Sequence, residues 1–89
     1  RFSTPHAVLH VARREPGEPT RFGFIVTKAV GGAVQRNRIR RRLRALSRDV
    51  LADLGPGADV VIRALPGSDQ VSWDTLHSEI APAIRKAVG

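Results

Sequence analysis

Seven of the fourteen residues from Gln35 to Arg48 (QRNRIRRRLRALSR) are arginine, and the apolar residues between them recur at helical spacing. At about 100° per residue, Ile39, Leu43, Leu46, Val50 and Leu54 fall on one stripe, a face that a helix would bury. Around the rest of the cylinder lie Arg36, Arg40 and Arg44, then Asn37, Arg41 and Arg48, with Arg38 and Arg42 on the far flank. Within this segment no carboxylate precedes Asp49, so the first three turns lack the i,i+4 partners that usually neutralise such charge. The partial positive charge of a helix N-terminus adds to the repulsion. Phosphates would relieve both, so the chemistry this pattern fits is the binding of a polyanion. A solvated basic face is the plain alternative, and the absence of interspersed acids counts against it.

Catalytic constellations are not legible elsewhere. The carboxylates Glu15, Glu18, Asp49, Asp53, Asp59, Asp69, Asp74 and Glu79 show no metal-ligand spacing, whereas a two-metal nuclease needs several converging on one point. Asp49 and Asp53 are i,i+4 on the basic helix and read as charge balance or solvated groups. His6 and His10 share one strand face, and with His77 they read as surface or cleft histidines rather than metal ligands. No Ser-His-Asp or Cys-His pattern and no phosphate-binding glycine loop is present. Trp73 and the three phenylalanines read first as core.

Composition agrees with a small nucleic-acid binder: 89 residues, one domain in length, with a formal charge of +7 and a pI near 11.7. Lysine occurs only at 28 and 86, and arginine is the better bidentate partner of phosphate. There is no cysteine, hence neither a disulfide framework nor a thiolate metal site, which suits the cytoplasmic location expected here. No apolar run approaches the roughly 20 residues that span a bilayer, so no membrane association is expected.

Two strands should precede the basic helix. From His6 to Ala12, Ala7, Leu9 and Val11 alternate with His6, Val8 and His10; from Arg21 to Lys28, Phe22, Phe24 and Val26 alternate with Gly23, Ile25 and Thr27. The stretch Arg13 to Thr20 (RREPGEPT) reads as a hairpin loop, so the two strands are expected to pair antiparallel. Gly31-Gly32 allows a tight turn into the helix, and Gly55-Pro56-Gly57 should end it. A third strand is expected at Asp59 to Leu65. A last helix, capped by Ser72 and running to about Val88, should bury Trp73, Leu76, Ile80, Ile84 and Ala87. Pro82 should bend or divide that helix. The order is strand, strand, helix, strand, helix: an α+β two-layer sandwich, with helices on one side of a sheet whose other face is left as an open cleft.

The segments RFGFIVTK (Arg21 to Lys28), VGGAV (Val30 to Val34) and RNRIRRRLR (Arg36 to Arg44) together resemble the signature of the protein subunit of bacterial ribonuclease P. The resemblance extends over essentially all 89 residues, which read as a single RNA-binding domain. It implies a mixed sheet with a left-handed β-α-β crossover carrying the Arg-Asn-Arg helix, against the usual right-handed rule. It also implies a ribonucleoprotein that removes the 5′ leader of precursor tRNA, in which a catalytic RNA with bound Mg²⁺ performs the hydrolysis and the protein does not cleave alone. The partners implied are that RNA and precursor tRNA, with no protein partner. The RNA-binding residues carried over are Lys28, Arg36, Asn37, Arg38, Arg40, Arg41, Arg42, Arg44 and Arg48. His10, Asn37, Arg41 and Arg44 are assigned to the leader cleft, with His10 at a position where a stacking aromatic is common.

Three departures stand out. Ala29 replaces a second lysine, Gly32 replaces an asparagine at the start of the helix, and the family's N-terminal helix, whose phenylalanines wall the cleft, is expected to be missing ahead of Arg1. The competing reading is a ribosomal or other structured-RNA-binding protein of similar fold. A helix-turn-helix DNA reader is disfavoured because strands, not a second helix, flank the basic segment.

Overall fold

The computed structural model describes residues 1–15 and 17–89. In chain order these form β1 (Phe2–Ser3), β2 (Ala7–Arg13), β3 (Arg21–Ile25), α1 (Ala33–Leu51), β4 (Ala58–Ala64) and α2 (Trp73–Val88). The sheet is four-stranded and mixed, in the order β1-β2-β4-β3.

The expected hairpin between β2 and β3 does not form. β4 lies between them, antiparallel to β2 with Leu9 opposite Ile62, and parallel to β3 with Phe24 opposite Ile62. Alternation fixed which face each strand buries but not its neighbour. The stretch Val60-Val61-Ile62 is apolar on both faces, as suits a central strand. The loop after β2 is also long enough to step over one strand at a spacing of about 4.8 Å. It is strapped to the start of β4: the Arg14 amide donates to the Gly57 carbonyl at 2.7 Å, and the Thr20 hydroxyl to the Gly55 carbonyl at 2.8 Å. Because β3 and β4 are parallel, α1 becomes the crossover between them. The short edge strand β1, which the sequence did not disclose, pairs with β2 and sets Phe2 beside Leu9.

Paired residues share a face. Ala7 and Leu9 with Val60, Ile62 and Ala64 form the side under the helices, where they meet Ile39, Leu43, Leu46 and Val50 of α1 and Leu76, Ile80 and Ile84 of α2. The α1 stripe is thus buried as expected, joined by Ser47. α1 ends at Leu51 rather than at Gly55: the Asp53 amide turns back to the Val50 carbonyl three residues away, a tighter closure that lets the chain reverse toward β4. Leu54, beyond the helix, still packs on the core.

In α2 the Ser72 side chain accepts from the Thr75 amide at 3.1 Å, the expected cap. The helix is not divided. It runs unbroken through Pro82, which is exposed and costs only the bond to the Ser78 carbonyl. Its buried ridge follows Leu76, Ile80, Ile84 and Val88 in steps of four, so Val88 and Ala81 are buried where Ala87 was expected, and Ala87 and Trp73 are only half-buried.

Candidate nucleic-acid interface

α1 starts at a turn that only glycine fits easily. Gly31 has φ +157°, and a Cβ there would lie 2.9 Å from the Gln35 Cβ. Gly32 is the N-cap without a side-chain bond, and the first turn holds no acidic residue. The leading amides of this helix are therefore bare of carboxylate.

The arginines divide by what they touch. Arg36, Arg40 and Arg42 are half-buried and donate to the backbone carbonyls of Gly31, Val26 and Val71, at 3.4, 3.4 and 3.0 Å. Arg38, Arg41, Arg44 and Arg48, with Asn37 and Lys28, are exposed. Among the described residues, no arginine of α1 pairs with a carboxylate. Five of the eight acids are engaged elsewhere: Glu18 with Arg14, Asp59 with Arg14 and Arg21, Glu79 with His6, and Asp49 and Asp53 with His77 and Arg85 of α2. Asp49 and Asp53, expected as charge balance or solvated groups, thus turn toward the second helix. The Arg21 hydrogen bond holds the Asp59 carboxyl below the usual carboxylate range and keeps the Arg21 guanidinium charged.

Two grooves flank α1. On the side of α2, Arg38, Arg41, Arg42, Ala45 and Trp73 line a space of about 390 Å³. On the side of β3, Phe22, Phe24, Arg44, Ser47, Arg48 and Leu51 line one of about 270 Å³.

A third cavity lies on the helix-free face of the sheet. It measures about 290 Å³ and is lined by Arg1, Val8, His10 and Arg63 together with Thr27, Ala29 and the chain just after β4. Val8 is buried there, outside the main core. Its Thr27–Ala29 end leads through the Gly31 turn into α1, so Lys28 stands beside it in sequence. The four residues assigned to a leader cleft do not share this cavity: His10 lines it, whereas Arg41 and Arg44 line opposite flanks of α1, and Asn37 is exposed in the second turn of α1. Arg63 and Arg1 were not singled out from sequence. In Asp59 to Leu65, Arg63 falls, with Asp59, on the face opposite Val60 and Ile62, a pattern that marks the side away from the core but not the cavity.

Among the described residues no three of His, Asp and Glu come together so as to hold a metal ion. No helix is long and apolar enough to cross a membrane.

A ribonuclease P family profile matches residues 1–88. The ribonuclease P protein component of Clavibacter michiganensis is 48% identical over 88 residues, 99% of this chain and 78% of that protein. That of Streptomyces avermitilis is 51% identical over 97 aligned positions, 100% of this chain and 79% of that protein. Among solved structures, the RNase P protein of Thermotoga maritima superposes with a TM-score of 0.85 at 18% identity, covering 96% of this chain and 80% of that one. That of Staphylococcus aureus does so at 0.85 and 19%, covering 97% and 78%. At those identities the structures speak for the fold alone, and they share the small α+β architecture described above. Matched from residue 1 to residue 88 and close to half identical to these relatives, the chain belongs to the ribonuclease P protein family.

Proposed function

We propose that this chain is the RNA-binding subunit of a ribonuclease P particle: it docks on the catalytic RNA through α1 and holds the 5′ leader of precursor tRNA in the open-face cavity. The observation that carries the reading is the α1 arginine face, dense in guanidinium and without a carboxylate partner among the described residues. Such a surface is stable only at the cost of self-repulsion, which RNA phosphates remove while releasing counterions.

Arg38, Arg41, Arg44 and Arg48 are free to meet phosphate, with Asn37 and Lys28 near the helix start; Arg36, Arg40 and Arg42, tied to carbonyls, add fixed charge. In the cavity, the His10 ring offers a stacking face for an unpaired base and Arg63 a phosphate partner, on a floor that includes Val8. The reading assigns hydrolysis and its Mg²⁺ to the RNA, and the protein's work is binding and orientation.

The test is affinity for transcribed bacterial ribonuclease P RNA across a salt series, followed by affinity of the assembled complex for precursor against mature tRNA. The reading expects log Kd to rise steeply with log salt, at about 0.7 to 0.9 per phosphate contact, and a preference for the precursor. Weak, salt-insensitive binding would overturn it.

A further inference from the structure

Trp73 is the only tryptophan of the chain, and only one side of it is spent on the core. Ser72 caps α2 and sets Trp73 in its first turn, half-buried. The indole packs on the core at one side and meets the His77 ring at 5.4 Å and 58°. Its remaining surface helps wall the groove against α1, opposite Arg38, Arg41 and Arg42. The groove walls are largely apolar although three of the five lining residues are arginines, as arginine stems lying along a surface with their charged heads in water would give. Two contacts fix the site. Arg42 donates to the Val71 carbonyl at 3.0 Å, bridging α1 to the residue before the α2 cap. His77 approaches Asp49 at 3.4 Å, engaging a carboxylate of α1 that would otherwise offset the arginines.

The ligand such a site suits has a flat apolar body and a negative charge at its edge. An aliphatic side chain of a protein would fill the groove but leave three guanidinium groups uncompensated. Duplex RNA would satisfy the arginines but keep its bases away from the indole. An unpaired nucleotide does both, with its base against Trp73 and its phosphates toward Arg38 and Arg41.

We propose that the groove between α1 and the first turn of α2 is a second RNA site, in which Trp73 stacks on an unpaired nucleotide of the docked RNA while Arg38 and Arg41 hold its phosphates. The proposal rests on the RNA-binding reading above and extends it from the arginine helix to α2, which carries no arginine cluster of its own.

Trp73 emission reports directly on the site. Transcribed ribonuclease P RNA is titrated into the wild-type chain while emission and retention of the RNA on a filter are followed in parallel. A short single-stranded oligoadenylate and the same strand annealed to oligouridylate serve as further probes. Quenching should saturate with RNA retention, and the single strand should quench more than the duplex. Trp73→Leu keeps apolar bulk but no π face and should weaken binding about five- to a hundredfold, the worth of one stacked base. Its salt slope should be unchanged, because no phosphate contact is lost, and Trp73→Phe should recover most of the affinity. Retained RNA with unquenched emission would overturn this proposal and leave the RNA-binding reading standing. Failure of the wild type to retain RNA would overturn both. Emission that follows protein concentration and ignores RNA would give the groove to a second copy, and that too would overturn it. Should Trp73→Leu fail to fold, the wild-type titration decides.

Discussion

Each arginine of α1 has a different local environment, and substitutions should separate them. Arg38 is exposed and makes no side-chain hydrogen bond or ion pair among the described residues, whereas Arg42 also ties α1 to Val71. Arg38→Ala should therefore lower the salt slope of RNA binding by about one phosphate contact without changing the melting temperature. Arg42→Ala should lower the slope similarly and also destabilise the fold by roughly 0.5–1.5 kcal/mol for the lost hydrogen bond. Salt titrations and melting curves of both variants check this, and two unchanged slopes would remove these residues from the interface. On the open face, His10→Ala and Arg63→Ala should each reduce affinity for precursor tRNA while sparing mature tRNA, since only the precursor has a leader to lay across the cavity. Equal losses for both RNAs would place the leader elsewhere. The arginines were legible because charge clusters survive in any fold. Arg63 was not, because its weight comes from a neighbour, His10, on a strand whose pairing with β4 no local pattern reveals.

At the level of the element, α1 separates charge from packing. Leu43 is 1% exposed between arginines, so Leu43→Ala should cost about 2–5 kcal/mol. Arg44, exposed on the flank toward β3, should be replaceable by alanine with neutral or slightly stabilising effect in the absence of RNA, because repulsion along the helix falls. Arg40 is a poorer choice for that comparison, since it is bonded to the Val26 carbonyl. Gly31→Ala should destabilise by roughly 1–3 kcal/mol through the φ and Gln35 contact noted above. Thermal unfolding of the three variants tests these values; a Leu43→Ala protein that melts with the wild type would mean that α1 is not packed on the sheet. The α1 stripe and the Ser72 cap could be read from sequence because helix periodicity and capping are local. The place of β4 between β2 and β3 could not, because a seven-residue connection permits either neighbour, and tertiary burial of a strand apolar on both faces at its centre decides between them. The end of α1 was misplaced for a related reason: glycine and proline mark where the chain is free to turn, while the turn itself began where β4 required it.

For the molecule as a whole, a charge of +7 makes both stability and binding depend on the solution. The Asp59 carboxyl is held below its ordinary value by Arg21, so the folded state binds this proton less readily than the unfolded chain. Its contribution is complete above the ordinary aspartate range and is lost as pH falls through the depressed folded value. Asp59→Asn should therefore flatten the acid limb of a melting-temperature profile, and the difference should shrink in high salt because the pair is solvent-exposed. Parallel acid limbs would show that the pair is not formed in solution. RNA, binding only the folded state, should raise the melting temperature and partly rescue Leu43→Ala. All of these effects serve one claim, that the protein contributes RNA affinity and leader capture while the RNA contributes the chemistry. The measurement that tests it most directly is cleavage of precursor tRNA by transcribed bacterial ribonuclease P RNA at low Mg²⁺, with and without this chain. The account predicts that the chain alone cleaves nothing, that adding it to the RNA restores 5′ leader removal at Mg²⁺ concentrations too low for the RNA by itself, and that the gain is lost with arginine-to-alanine changes on α1. An RNA whose cleavage is indifferent to the protein at every Mg²⁺ concentration would contradict it.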